Sequence, residues 1–243
     1  MSSTRSRTDE LESIGYELWL APEVGELDGW RLRFAHGVTG RANSVWPNGE
    51  GELPLDEKLE RAEAWYRARG APVLFQVTDA ARPHELDSIL AARGYEVRAA
   101  PVSVQVAKLD DVLARTQGDA DVDARLDDDW LQLWAGSRGF ERDDVARAML
   151  EAGDVAFARV AGAAAGRGVV VGDWLGITSM ITAPDARRRG HASAILQALA
   201  RWGAERGCTR SIIQVDSSNE AAVGLYARVG YAAQHEYRYR LLR

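Results

Sequence analysis

TAPDARRRGHASAILQALARWGAERG occupies residues 182–207 and sets three consecutive arginines between a proline-marked turn and a run with helical spacing. Ile195, Leu199 and Trp202, with Leu196 beside them, recur on one helix face. The stretch has a counterpart earlier in the chain, SVWPNGEGELPLDEKLERAEAWYRARG at residues 44–70. Pro47 answers Pro184, Trp65 answers Trp202, Arg69 answers Arg206 and Gly70 answers Gly207, all at an offset of 137 residues. The correspondence continues: VLFQV (73–77) answers SIIQV (211–215), and LAARGY (90–95) answers YARVGY (226–231) after small shifts. An ordered series of this kind reads as a tandem duplication.

Each half then has one plan: a strand, a proline turn, a helix, a strand, a second helix ending in Gly-Tyr, and a closing strand. SIIQV is a short β-branched run suited to burial between layers. Strand, crossover helix and strand imply a parallel pair with a right-handed connection. Upstream, DDWLQLWAGSRG aligns Trp130, Leu133, Trp134 and Ser137 on one helical face. ERDDVARAMLEAG repeats the period with Val145, Ala148, Met149 and Ala152, and Gly153 stands where a helix stops. DVAFARV, RGVVVGDW and LGITSMIT read as strands, with Gly172-Asp173 as a tight hairpin turn. In the first half, GWRLRFAHG alternates Trp30, Leu32 and Phe34 with arginines, as a half-buried strand does. The expected division is a polar, disordered tail over 1–13, a first domain over 14–115 and a second over 116–243. The seam is expected in the aspartate-rich stretch Thr116–Asp123.

Composition limits the function. Acidic residues exceed basic ones, 36 to 30, for a formal net charge of −6, which argues against a general nucleic-acid binder that works by neutralising phosphates over a broad basic face. The one cysteine, Cys208, allows no intramolecular disulfide and no cysteine metal cluster. His36, His84, His191 and His235 never stand at helical ligand spacing, so no metal is expected. MSSTRSRTDELES lacks the apolar centre of a signal peptide. No uninterrupted apolar stretch reaches the length of roughly 18 residues needed to span a membrane. The expectation is a cytoplasmic protein, monomeric or homodimeric, with neither nucleic acid nor membrane as partner.

The differences between the halves are as informative as the likeness. Where the second has DARRRGHA the first has NGEGELPL, with no arginine and two glutamates. Asn219 corresponds to Pro83 and Tyr226 to Leu90. Three polar features are therefore absent together from one copy, which points to a single site kept in the other. A helix N-terminus offers unpaired amides and partial positive charge. Gly190 lets a ligand approach the backbone, and Ala192 is nearly as small. Arg187, Arg188 and Arg189 add forked donors and full charge, and the whole suits a pyrophosphate. The spacing is neither the Walker nor the Rossmann pattern. In DSSNEAAVGLYARVGY, Ser217 and Glu220 form a capping-box pattern, which leaves Asn219, Ala222 and Tyr226 as one stripe on the following helix. Leu225 and Val229 form a neighbouring apolar stripe.

These residues resemble the GCN5-related N-acetyltransferases. The family's cofactor signature is matched by Arg187-Arg188-Arg189-Gly190-His191-Ala192 after Thr182-Ala183-Pro184. Its second signature is matched by Asn219, Ala222, Leu225-Tyr226 and Gly230-Tyr231. The match covers roughly residues 120–243, and the first half resembles the same fold without the cofactor motifs. The resemblance implies an α/β architecture of two tandem acyltransferase-like halves, each a mixed, mostly antiparallel sheet with a splayed parallel strand pair flanked by helices. It also implies acetyl-CoA as co-substrate, with the pantetheine along the backbone of Met180, Ile181 and Thr182. The pyrophosphate would sit on the loop and first helical turn, Arg187 through Ser193, with Asn219 and Ala222 against the pantetheine. Tyr226 would protonate the leaving thiolate, a role matched to its unperturbed pKa of about 10.

The chain departs from the family in two respects. LGITSMIT carries no carboxylate where many relatives have a catalytic glutamate. Asp173 lies in a turn, where aspartate is ordinary, and Asp216, at the end of SIIQV, is the candidate base. Thr182 replaces the usual branched apolar residue. The resemblance implies an amine acceptor, on a small molecule or peptide that the sequence does not identify, with Trp134, Arg138 and Phe140 as candidate contacts. GRANSVWP (40–47) concentrates Arg41, Asn43 and Ser44, either closing the acceptor side or forming a solvent-facing edge. The alternative to an enzyme is a non-catalytic acyl-CoA-binding regulatory module.

Overall fold

The computed structural model describes residues 6–136 and 142–243. In chain order the elements are α1 (Arg7–Glu17), β1 (Glu23–Leu27), β2 (Trp30–Phe34), β3 (Val45–Trp46), α2 (Leu55–Arg67), β4 (Val73–Val77), α3 (Leu86–Ala92), β5 (Glu96–Lys108) and α4 (Leu109–Arg115). There follow β6 (Asp121–Asp123), α5 (Asp128–Gly136), α6 (Asp143–Leu150), β7 (Asp154–Val160), β8 (Ala164–Val171), β9 (Trp174–Thr182), α7 (His191–Glu205), β10 (Arg210–Asp216), α8 (Glu220–Arg228) and β11 (Ala232–Leu242). They form two compact units. One comprises the chain up to Val102 together with His235–Arg243; the other comprises Ser103–Gln234.

In the first unit the strand order is β1-β2-β3-β4-β11. Asp28 and Gly29, at φ 46° and 85°, make the two-residue turn of the β1–β2 hairpin, in which Leu27 faces Trp30. β3 and β4 run parallel, with Val45 opposite Phe75, and α2 crosses between them. The strand antiparallel to β4 is the last of the chain, from Arg238 against Val77 to Leu242 against Val73. The unit boundaries therefore differ from a cut at 115/116: residues 103–115 lie with the second half, and residues 235–243 with the first. Pairing along β4 and β11 outweighs position in the sequence. Residues 7–13, read as part of a tail, form most of α1. Ser6 and Asp9 cap it reciprocally, each side chain taking the other's amide at 3.1 Å, and Leu11 and Ile14 are buried.

α1 also brings a carboxylate inside. Glu12 is 1% exposed; one oxygen lies 2.7 Å from His235 Nε2 and the other accepts from Gln76 Nε2 at 3.0 Å. Gln76 in turn accepts from Arg33 at 3.0 Å, and Arg33 donates to the Ser44 hydroxyl and carbonyl at 2.7 and 3.1 Å. The polar density of GRANSVWP is thus internal rather than a solvent-facing edge: Ser44 is fully buried, and Asn43 ties the Ala35 and Gly37 amides to the Thr39 carbonyl. Removing one partner of such a network strands the rest. Glu12→Ala is expected to cost about 3 kcal/mol, a drop of about 6–12 °C in Tm by calorimetry. Glu12→Gln, which keeps two hydrogen-bonding atoms, should lose no more than about half of that.

In the second unit the strand order is β5-β10-β9-β8-β7-β6, with β9 and β10 parallel and joined by α7. Gly172-Asp173 forms the hairpin turn between β8 and β9, with Val171 opposite Trp174. The core on one face of the sheet joins Leu175 and Ile177 to Ile195, Leu196, Leu199 and Trp202 of α7. Gly166 of β8 is what allows that approach, because a Cβ there would lie 2.5 Å from Ile195 Cγ2 and 2.7 Å from Met180 Sδ. α5 packs on β8 and β9, and its Trp130 meets Phe157 edge to face at 5.2 Å. Asp173 is held by the Arg210 guanidinium at 2.6 and 2.9 Å, which lowers its carboxyl pKa.

Candidate active site

The parallel pair β9–β10 is in register from Trp174–Arg210 to Ile177–Ile213 and no further, although both strands continue. The cause lies on the other edge of β9. Ala165 faces Ile181 and Arg167 faces Thr178, so Gly166 alone stands opposite two residues, Ser179 and Met180. This bulge places Ser179 at φ 55° and bends β9. From Met180 to Thr182 one edge of β9 stays with β8 while the other opens toward a cleft of about 670 Å³.

The cleft is walled by the end of β9, the loop before α7, the first turn of α7 and one face of α8. Every residue singled out for the cofactor lines it except Arg189: Met180, Ile181, Thr182, Arg187, Arg188, Gly190, His191, Ala192, Ser193, Asn219, Ala222 and Tyr226. The loop curls because Arg188 and Gly190 both take left-handed backbone, at φ 60° and 85°. Gly190 is the N-cap of α7 and has no side chain to satisfy the helix start. Among the described residues, no amide from Arg187 to Ser193 donates to a protein acceptor. That leaves N–H groups at the start of α7 without a protein acceptor, beside the charges of Arg187 and Arg188, the kind of helix start that suits an anion. The Ser193 hydroxyl is engaged with both backbone groups of Gln117, at 2.9 and 3.1 Å, so Ser193 faces the cleft with its amide to offer.

Two local readings of α8 and the strand before it change. Asn219 is the N-cap, accepting from the Ala222 amide at 3.2 Å, where the sequence pattern had a Ser217–Glu220 capping box. The reason is Asp216: its carboxylate takes the Ser218 amide at 2.9 Å and hydroxyl at 2.6 Å, and this turn delays the helix to Glu220. Asp216 is exposed, holds that turn and does not line the cleft. Tyr226 is 5% exposed, and its ring lies against Tyr231 at 5.8 Å. Tyr231 is anchored to the Ser211 hydroxyl at 2.6 Å. Burial raises the pKa of the Tyr226 phenol well above its ordinary value, so the group keeps its proton.

On the acceptor side, Trp134 is 1% exposed, buried on α5 with its ring tilted by 34° at 6.2 Å from that of Trp130, and does not line the cleft. Arg138 and Phe140 lie outside the described residues. Sequence reasoning missed Ala186, Glu220, Ala221, Gly224, Leu225 and Arg228, all of which line the cleft. Glu220, Gly224 and Arg228 fall at i, i+4 and i+8, a helical stripe adjoining the one already read, and that periodicity was the available signal. Among the described residues, no three or more His, Cys, Asp or Glu side chains are grouped to hold a metal, and no helix is long and apolar enough to cross a membrane.

The first unit shows what became of the equivalent place. The amides of Glu52 and Leu53, just before α2, donate at 2.9 Å each to the carboxylate of Asp28. Lys58 of α2 stands 3.4 Å from the same carboxylate. An anion thus sits at this helix start, but it belongs to the protein. The two amide bonds, with Lys58, hold the Asp28 pKa below its ordinary 3.8. A lowered folded value contributes stability above the ordinary pKa that is lost as pH falls through the folded one. Wild type should therefore lose stability more steeply than Asp28→Asn as pH falls below about 4, as chemical denaturation at acid pH would show.

Comparison with known proteins bears on what fills the cleft in the second unit. Residues 7–240 match the family model described as "Probable histone acetyltransferase Rv0428c C-terminal". The chain is 27% identical to the "Uncharacterized N-acetyltransferase YobR" of Bacillus subtilis, over 96% of this chain and 98% of that protein. It is 29% identical to the "Probable histone acetyltransferase Rv0428c" of Mycobacterium tuberculosis, over 94% of this chain and 72% of that protein. Among solved structures, a GCN5-related N-acetyltransferase from Kribbella flavida superposes with a TM-score of 0.66 at 15% identity, covering 97% and 94% of the two chains. A tandem protein of the same fold from the clavulanic acid biosynthesis pathway gives 0.57 at 10% identity, covering 77% and 69%.

Proposed function

We propose a direct acetyl transfer for this chain, which belongs to the Rv0428c C-terminal acetyltransferase family within the GCN5-related N-acetyltransferases. The donor is acetyl-CoA and the acceptor an amine. The observation that carries the reading is the joint lining of one cleft by the open edge of β9, the unpaired amides before α7 and the buried Tyr226. The open edge of Met180–Thr182 suits a pantetheine arm bound like an added strand. The amides from Arg188 to Ala192, with Arg187 and Arg188, suit the pyrophosphate.

In the transfer, the free amine attacks the thioester carbonyl and forms the C–N bond, and the C–S bond breaks to release a thiolate. Tyr226 supplies the proton to that sulfur. Burial raises the proton affinity of a phenol, and it does the same for a thiolate leaving within the same desolvated pocket, so donor and acceptor stay matched. No carboxylate of β9 is available as a base, because WLGITSMIT has none. The proton of the attacking amine passes to solvent through water, since Asp216 is engaged in the turn before α8 and does not line the cleft.

The acceptor is a small-molecule or peptide amine. The name of the Mycobacterium tuberculosis relative makes a lysine-containing peptide one arm of the screen, beside small primary amines. The test is thiol release from acetyl-CoA with each acceptor, with calorimetric titration of acetyl-CoA in parallel. Acetyl-CoA binding with amine-dependent thiol release is expected. Absence of acetyl-CoA binding would sink the reading. Tight binding without turnover on any amine would favour a non-catalytic acyl-CoA-responsive module, the reading that a carboxylate-free β9 leaves standing.

A further inference from the structure

β9 parts from β10 after Ile177, and the two residues that follow, Thr178 and Ser179, are 6% and 7% exposed. Neither hydroxyl has a hydrogen-bond partner among the described residues. The other buried hydroxyls described in the second unit are accounted for. Ser103 accepts from Gln105, Thr116 donates to the Val112 carbonyl, Ser211 and Tyr231 share a bond at 2.6 Å, and Tyr226 lines the cleft. In the first unit the fully buried hydroxyl beside β3, that of Ser44, accepts from Arg33 at 2.7 Å. Buried polar groups nearly always have a partner, so two consecutive hydroxyls without one in the protein call for a polar group from outside the fold.

The bulge brings the two together. Ile177 and Met180 both pack on the core under α7, so two residues instead of one stand between them. Gly166 faces α7, and its neighbour Arg167 therefore faces the other side of the sheet, as does Thr178 opposite it. Ser179 follows at the bend in left-handed backbone, at φ 55°. Direction along β9 puts this pair at the reacting end. The strand runs from Thr178 and Ser179 through Met180–Thr182 toward the loop of Arg187 and Arg188. With the pyrophosphate at that loop and the pantetheine along Met180–Thr182, the thioester comes to the part of β9 where the two hydroxyls lie.

Resting on the acetyl-CoA reading, we propose that Thr178 and Ser179 are positioning residues whose hydroxyls hold the water that takes the proton of the attacking amine. Two adjacent hydroxyls supply two of the hydrogen bonds that a buried water makes. As the C–N bond forms, the amine N–H breaks toward that water, which passes a proton on to solvent, while Tyr226 protonates the leaving sulfur. A hydroxyl pair thereby serves on a strand that has no carboxylate.

The experiment measures kcat, acetyl-CoA affinity and Tm for wild type, Thr178→Val, Thr178→Ser, Ser179→Ala and the Thr178→Val/Ser179→Ala double variant, with methylamine, 1,4-diaminobutane and a lysine-containing peptide as acceptors. Thr178→Val and Ser179→Ala should each lower kcat by about tenfold and leave the Kd of acetyl-CoA unchanged. Valine keeps the shape of threonine, and losing a hydroxyl that no protein group bonds should hold or raise Tm. Thr178→Ser should retain the rate. The double variant should lose little more than either single one, because both hydroxyls act on one water. An unchanged kcat in either single variant, a loss of acetyl-CoA affinity in its place, or losses that multiply in the double variant overturns this assignment alone. Wild type that binds acetyl-CoA and acetylates none of the acceptors overturns the transfer and this inference together. Wild type that binds no acetyl-CoA overturns the acetyl-CoA reading itself.

Discussion

Tyr226→Phe is expected to lower kcat by about a hundredfold to ten-thousandfold while leaving the affinity for acetyl-CoA unchanged. The substitution removes one oxygen from a side chain that is 5% exposed and whose ring is held edge to face by Tyr231, so the packing of the cleft survives. What is lost is a proton donor at the departing sulfur, an interaction made in the transition state rather than in the ground state. Such a loss appears in kcat and kcat/KM together. Because burial keeps the phenol protonated well past the ordinary tyrosine range, wild type should show no alkaline loss of rate from this group below about pH 10. Steady-state kinetics across pH, beside titration of the same variant, would check both statements. A variant that weakens binding and turns over normally would assign Tyr226 to cofactor packing instead.

Arg188→Glu should act on the other quantity. Arg188 sits at φ 60° in the loop whose amides stay unpaired before α7. Replacing its guanidinium by a carboxylate removes a charge-assisted hydrogen bond and sets a like charge against the pyrophosphate. Together these should weaken acetyl-CoA by about a hundredfold or more, measured as Kd. Backbone strain is the same for Glu as for Arg at a left-handed position, so the loop need not refold. Neither residue is part of the core, and thermal stability should be little changed. An unchanged Kd would mean that the arginines merely decorate a helix start.

Much of the site was legible because its chemistry is local. A glycine N-cap with flanking arginines and the Asn219–Ala222–Tyr226 stripe each lie within one stretch of chain, and helical periodicity alone gathers the stripe onto one face. Arg228 escaped notice because its place on the cleft wall follows from helical spacing with Glu220 and Gly224 rather than from a motif. Asn219 as N-cap escaped because an Asp216 turn shifts the helix start, a competition between two short-range hydrogen-bond patterns that spacing does not settle. Trp134 was drawn to the acceptor side by its helix, yet the same amphipathic face that predicts the helix also buries the residue.

The duplication, the parallel pair in each half and the loss of the arginine loop from the first were determined by the sequence itself, since repeats and periodicity are properties of order along the chain. Only the tertiary structure decided which strand closes which sheet, because the pairing of β11 with β4 depends on edge hydrogen bonds between residues more than 150 positions apart. It also decided that the bulge at Ser179 opens β9 and that Asp28 fills the first half's anion position. Both rest on where backbone amides point once the chain has turned, and amides carry no sequence signature.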